Sequence, residues 1–283
     1  MKKRILAALL ILLLVIPLLT ATVSADSGPK PGTHIWLTEA GEKTVLTLLC
    51  DLEGWGPNQA VGAQEEPQDW QTQNEAQEEA WYAFRDYEDP DGFYFLGEVF
   101  EDGVSWGYWP PETFKVAVYY PERDLLWVSE EIYNRYAFRS DYRLVLPAPG
   151  ENPVSGAVDM VLKKEHSVFA ELGGLTFRIL VTLAVELALA VLLGFNSRKQ
   201  LKLIGVTNLA TQVGLNVLLW MWYFYDGPLA ALIRLFLAEV VVLIAELVVY
   251  LFRLREDESA VRTILYTICA NGASVLLGFL LLA

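Results

Sequence analysis

Hydrophobic positions change their spacing near residue 171. After it they run on for about twenty residues at a time, at about 175–195, 203–225, 229–252 and 262–282, and each run is long enough for a membrane helix. Before it they form short alternating or blocked runs between Pro, Gly and acidic residues, the pattern of strands and turns. His34–Thr38 and Val45–Cys50 read as strands, and Gly54 to Gln73 as a surface loop. Asn74 caps a helix that presents Ala76, Ala80, Phe84 and Tyr87 on one side. Phe93–Phe100, Ser105–Trp109, Thr113–Tyr120, Leu125–Ser129 and Asp141–Leu146 read as further strands, with a tight turn at Pro121-Glu122-Arg123-Asp124. Ser129, followed by Glu130 and Glu131, reads as the cap of a short helix to Ala137. The expected fold is an α+β exported domain at 26–147, mainly antiparallel sheet with short helices. A linker and juxtamembrane segment at 148–172 follows, then an all-α four-helix transmembrane bundle at 173–283.

Polar residues interrupt the long apolar runs at regular depths. With a rise of about 1.5 Å per residue, the helix middles fall near residues 185, 214, 240 and 272, and Glu186, Asn216, Glu239 and Asn271 each lie within two residues of one. A second layer holds Asn208, Thr211, Gln212 and Glu246. Glu239 and Glu246 are seven apart and face the same way, and Ala270, Ser274 and Gly278 form a stripe of small residues on the last helix. An ionisable residue inside a membrane helix costs several kcal/mol and needs a use. The belt reads either as an interhelical hydrogen-bond cluster that fixes packing, or as a cation or proton site lined by Glu186, Glu239 and Glu246 with neutral amide ligands.

Charge supplies the orientation. Arg198, Lys199 and Lys202 sit in the loop 196–202 and Arg253, Arg255 and Arg262 in the loop 253–262, whereas the turn between the middle helices carries only Asp226. The positive-inside rule makes the two basic loops cytoplasmic and puts residues 26–172 and the C-terminus outside. Trp220, Trp222, Tyr223 and Tyr225 form an outer aromatic belt, and Arg234 snorkels to the same interface. Lys2, Lys3 and Arg4, an apolar stretch and Val23-Ser24-Ala25 make residues 1–25 a signal peptide, with an uncleaved anchor as the alternative. Residues 26–170 hold 27 acidic and 10 basic side chains, a balance that argues against nucleic acid as a partner. Of two cysteines, Cys50 falls in the exported part and Cys269 in a membrane helix, so no disulfide is expected and Cys50 reads as a small buried hydrophobe. These features place the chain in a bacterial cell membrane as a multi-pass protein.

Candidate chemistry in the exported part is sparse. Asp86-Tyr87-Glu88-Asp89-Pro90-Asp91-Gly92 approaches a calcium loop, but tyrosine occupies the first ligand position, and a Pro-Asp-Gly turn is the better reading. Nineteen aromatic residues lie between Trp81 and Tyr142. They read as core, with Trp106, Tyr108 and Trp109 as a candidate ligand-facing subset. His34 and His166 are far apart, and no G-x-S-x-G, H-E-x-x-H or paired C-x-x-C occurs. No catalytic residue, metal ligand or cofactor is assigned. An exported enzyme using carboxylates such as Glu98 and Glu101 has no spacing argument behind it.

Val206-Thr207-Asn208-Leu209-Ala210-Thr211-Gln212-Val213-Gly214-Leu215-Asn216 resembles a family of uncharacterised bacterial multi-pass membrane proteins. The resemblance extends through Glu239, Glu246, Tyr250 and Ala270-Asn271-Gly272-Ala273-Ser274, and includes Pro110–Lys115 and Val128–Phe138. It runs from about Lys30 to the end, is weakest in the Gln-rich loop before Asn74, and implies the same layout without an activity. The expected function is therefore a non-enzymatic envelope protein whose exported domain senses or binds a partner or ligand. Its helices anchor it in the lipid bilayer or dock on another membrane protein or a second copy. The alternative is a component of an ion- or proton-coupled transporter using the midplane glutamates.

Overall fold

The computed structural model describes residues 29–38, 42–62, 64–147, 153–254 and 258–282. The signal peptide expected at 1–25 lies outside them. A sheet-rich unit, Lys30–His166, precedes a helical unit that begins at Ser167.

The strands of the first unit are β1 (Gly32–Leu37), β2 (Val45–Cys50), β3 (Gly54–Trp55), β4 (Asn58–Gln59), β5 (Tyr94–Phe95), β6 (Phe100–Glu101), β7 (Gly103–Trp106), β8 (Thr113–Tyr120), β9 (Leu125–Ser129), β10 (Tyr133–Asn134), β11 (Arg139–Val145), β12 (Gly156–Val158) and β13 (Val161–Lys164). They form a four-stranded sheet ordered β13-β11-β1-β7 and a seven-stranded sheet ordered β12-β9-β8-β2-β5, with β10 added on β8 and β6 on β2. Pairing is antiparallel except for β1 with β11 and β12 with β9. Helix α1 (Glu75–Asp86) starts where Asn74 predicts, the Asn74 side chain accepting the Gln77 N–H.

β2 is buried at every position and β8 at all but its first. One face of this pair meets the smaller sheet through Leu46, Leu48, Cys50, Val116, Val118, Ile35, Tyr142 and Leu144. The other meets α1 through Val45, Leu49, Ala117, Tyr119, Trp81 and Phe84. Two-sided burial is why these strands read as unbroken apolar runs rather than as alternation, and each large side chain so buried contributes roughly 1.5–3 kcal/mol. Burial also pushes the Cys50 thiol up to about 11, as expected for a cysteine serving as a hydrophobe.

Three expectations are corrected. The segment 148–172 is not all linker, since β12 and β13 extend the two sheets by backbone pairing that their composition does not advertise; residues 148–152 lie outside the described set. The helix expected from Ser129 to Ala137 is absent. Ser129 is buried and uses its hydroxyl to accept the Val116 N–H and donate to the Glu131 carbonyl, and Tyr133–Asn134 pair with β8. The third correction concerns a basic loop. Arg198, Lys199 and Lys202 belong to a helix, because Ser197 and Gln200 close a capping box that starts it at Arg198.

The helical unit contains α2 (Val168–Leu192), α3 (Arg198–Arg253) and α4 (Ala260–Leu282). α3 breaks at Gly227, whose φ of 86° only glycine tolerates easily, just ahead of Pro228. Its halves double back, so that Leu215 and Leu219 pack on Ala231 and Leu235. α2 ends in a glycine cap: the Gly194 N–H reaches the Val191 carbonyl and the Phe195 N–H reaches that of Ala190. Arg262 closes the same end, donating to the Leu193 carbonyl at 2.6 Å and pairing with Glu258 at 2.6 Å. At the far end the Trp220 indole donates to Glu171, and Arg234 pairs with Asp226 and lies 5.8 Å over the Trp222 ring.

Lys115 is the one charged residue in β8 and is 2% exposed. Its ammonium reaches Asp89 at 2.9 Å and Asp91 at 2.6 Å, while Asp89 also accepts the N–H groups of Asp91 and Phe93. The acidic loop is thus a turn neutralised by a lysine, with Gly92 at φ 76°. Burial opposes the ammonium, but bonds to Asp91 and Asp89 outweigh it and hold the Lys115 pKa above the ordinary 10.5. Its contribution is full at neutral pH and is lost only as pH rises through that elevated value. Lys115→Met strands the Asp89 charge, and thermal or urea unfolding should show a loss of about 3 kcal/mol at neutral pH.

Candidate functional site

The polar residues expected at two depths in the helical unit form one connected cluster. Glu246, 1% exposed, is its centre. The Thr211 hydroxyl donates to Glu246 Oε1 at 2.6 Å and the Asn271 amide to Oε2 at 2.8 Å. One carboxylate therefore joins the two halves of α3 and α4. The Tyr250 hydroxyl donates to Asn208 Oδ1, and Asn208 Nδ2 reaches the Tyr266 hydroxyl at 3.5 Å. Gln212 Nε2 donates to Ser274 Oγ at 3.2 Å, and Asn216 Nδ2 to the Gln212 carbonyl at 2.9 Å. Asn271, placed at the depth of Glu186 by residue counting, bonds to Glu246 of the other layer, so the two layers are one.

Glu186 has a different environment. It is 0% exposed, and neither carboxylate oxygen meets a donor in full hydrogen-bonding geometry, although the Ser274 hydroxyl and the Asn208 amide face it. Glu246 and Glu239 are within Coulombic reach. Glu239 Oε2 and Asn271 Oδ1 are also buried without donors. All four unpartnered buried side-chain atoms described in this unit are thus oxygen acceptors. A cavity of about 30 Å³ lies nearby, lined by Arg178, Thr182, Gln212, Asn216, Glu239 and Ser274 among others. That is room for about one water.

Several of these residues were not singled out from the sequence. Arg178 and Thr182 precede Glu186 at intervals of four, a polar stripe on one face of α2 that the apolar average of the segment hides. Ser274 reads as a small packing residue, yet its hydroxyl takes the Gln212 amide. Tyr266 lies in an aromatic and aliphatic cluster with Phe195, Ile204, Tyr250 and Leu254, which covers the cluster on the side of Arg262.

The exported aromatics divide. Trp106 is 3% exposed and part of the core, its indole donating to the Tyr108 carbonyl at 3.0 Å. Its place in the ligand-facing set is corrected, because alternation along β7 turns it inward. Tyr108 and Trp109 are 47% and 42% exposed. Lys30 lies 5.2 Å over the Tyr108 ring, and Trp109, at φ 52°, packs against Gly56, where a Cβ would come within 2.7 Å of its side chain. His34 Nδ1 stands 3.2 Å from Ser105 Oγ across β1 and β7, on the opposite side of the sheet from the core. Asp141 is opposite His34 on β11, but its carboxylate accepts from Arg139 at 3.2 Å. Glu101 accepts from Asn74 at 2.6 Å and pairs with Lys43 at 3.2 Å, which hold its pKa low, while burial raises that of Glu98. No described contact joins these two carboxylates.

No protein-family model, curated protein or solved structure matches the chain.

The contrast between the two buried glutamates sets opposite expectations for stability. Glu246→Leu abandons the Thr211 and Asn271 donors and should cost about 1–3 kcal/mol in graded detergent denaturation. Glu186→Leu removes a buried carboxylate whose neighbours Ser274 and Asn208 keep Gln212, Tyr250 and Tyr266 as partners, and should be neutral or stabilising in the same measurement.

Proposed function

We propose that the chain is a non-enzymatic, multi-pass membrane protein of a bacterial envelope whose helices carry a site for a small positive ion, as a component of an ion- or proton-coupled membrane system. The four helical segments cross the bilayer, residues 26–172 and the C-terminus face outside, and the basic ends around Arg198–Lys202 and Arg253–Arg262 face the cytoplasm. In support, α2 and α3 contain spans of mean hydropathy 2.2 and 2.5, long enough to cross a membrane. The helical unit is also inverted relative to a water-soluble fold. Phe177, Leu180, Val191, Leu237, Val241 and Ile244 are exposed, while Glu186, Asn208, Gln212, Glu246 and Asn271 are buried. Lipid tails can cover such a surface, and a polar interior then joins the helices.

The observation that carries the ion site is the set of four buried acceptors without donors at Glu186, Glu239 and Asn271. A network built only to hold helices together pairs its acceptors, as Glu246 does. Four helices are few for a solute path, so the working form is a homo-oligomer or a complex with another membrane protein. With the purified protein in liposomes, ion-gradient-driven flux should be present in wild type and fall at least tenfold in Glu186→Gln, with losses also in Glu239→Gln and Glu246→Gln. Flux that is absent, or equal in all four proteins, rejects the reading.

Tyr108 and Trp109 favour a second role for the exported domain: binding a partner or ligand outside the cell. Two exposed aromatic residues held by Lys30 and by a glycine-lined seat have the character of interface anchors. Pull-down from mild detergent should capture a partner that Tyr108→Ala with Trp109→Ala no longer retains; identical captures from wild type and variant would dismiss this role.

A further inference from the structure

We propose that the positive ion taken up in the helical unit is a proton carried by Glu186, not a metal ion. The proposal rests on the reading above that these helices bind a positive ion, and it names which one.

The coordination available is the first argument. Hard metal cations take about six or more oxygen ligands. Both Glu246 oxygens already face donated hydrogens, from the Thr211 hydroxyl and the Asn271 amide. The Asn208 carbonyl oxygen is taken by Tyr250, while its amide nitrogen, which cannot ligate a metal, reaches Tyr266 and faces Glu186. Among the described residues no three acidic, histidine or cysteine side chains are placed to share a metal ion. What remains is a Glu186 carboxylate at 0% exposure that faces only the neutral Ser274 hydroxyl and Asn208 amide, neither in full hydrogen-bonding geometry. A proton neutralises such a group with one covalent bond and needs no coordination shell, whereas the bare anion at this depth carries a large desolvation cost.

Space and charge agree. The adjoining cavity of about 30 Å³ admits about one water, not a hydrated metal ion. It is lined by Ser274, which also lies beside Glu186, so a water there is one hydroxyl away from the carboxylate. The groups facing Glu186 are Glu239, Glu246 and Tyr250 from the second half of α3 and Tyr266 from α4. From the first half of α3 the Asn208 amide faces it. Three carboxylates in mutual reach repel one another, and each proton taken up relieves that repulsion. In uptake an O–H bond of a hydronium ion breaks, leaving water, and an O–H bond forms to a Glu186 oxygen, giving a neutral carboxylic acid; release reverses the step, and no other bond changes.

Infrared difference spectroscopy on the full-length protein in lipid nanodiscs, across pH steps and in light and heavy water, tests the assignment. The expected result is a protonated-carboxyl C=O band that shifts in heavy water, is lost in Glu186→Gln and is retained in Glu186→Asp. Adding sodium or potassium chloride should leave it unchanged, and circular dichroism confirms that each variant is folded. A band that sodium or potassium abolishes overturns the proton assignment while the positive-ion reading survives. A band that persists in folded Glu186→Gln also overturns it. No band in wild type, together with no sodium binding by isotope retention, removes both the assignment and the reading on which it rests.

Discussion

Glu246 gives one oxygen to Thr211 and the other to Asn271, and through those two bonds three helical segments meet out of reach of water. The helical unit presents apolar side chains outward, an arrangement in which a lipid surrounding would leave little hydrophobic force to hold the helices together. Interhelical polar bonds and close packing must do it. Glu246 draws the Thr211 hydroxyl and the Asn271 amide across helix boundaries although each also reaches a carbonyl of its own helix, and Asn208, Tyr250, Tyr266, Gln212 and Ser274 extend the same principle along the interface.

Against that background Glu186 is an exception with physical content. An adjacent carboxylate of the same chemistry has its donors in place; this one meets Ser274 and Asn208 without full hydrogen-bonding geometry. A buried group left without partners destabilises the fold that contains it, and such groups persist where function uses them. The cavity that Arg178, Thr182 and Glu239 help to line gives water a place beside it. Two glutamates of one cluster thus differ in their partners: Glu246 holds donors from two other segments, and Glu186 does not.

The sheet-rich unit solves its own problem differently. Its central strands are covered on both faces, by a second sheet and by α1, so it builds a core without disulfides, and Lys115 enters that core only because Asp89 and Asp91 meet it there. Aromatic density follows from the same demand. Most of the rings fill the space between layers, Trp106 among them, which leaves Tyr108 and Trp109 at the surface.

What the sequence by itself determined is what depends on local or one-dimensional pattern. The cap at Asn74, the turns at Pro121–Asp124 and Asp226–Pro228, the buried runs of β2 and β8 and the long apolar segments are legible because periodicity and capping act over a few residues. The glutamates and amides of the polar cluster were legible too, since they are conspicuous in apolar runs, whereas Arg178, Thr182 and Ser274 were not. Non-local pairing decided the remainder. β12 and β13 are strands only because β9 and β11 offer them edges, and Ser129 forgoes a helix cap because the Val116 N–H needs an acceptor. Residue counting put Asn271 with Glu186, but helix packing brought it to Glu246. Which of the three glutamates holds helices and which stands bare is a matter of donors contributed by other segments, and no single segment carries that information.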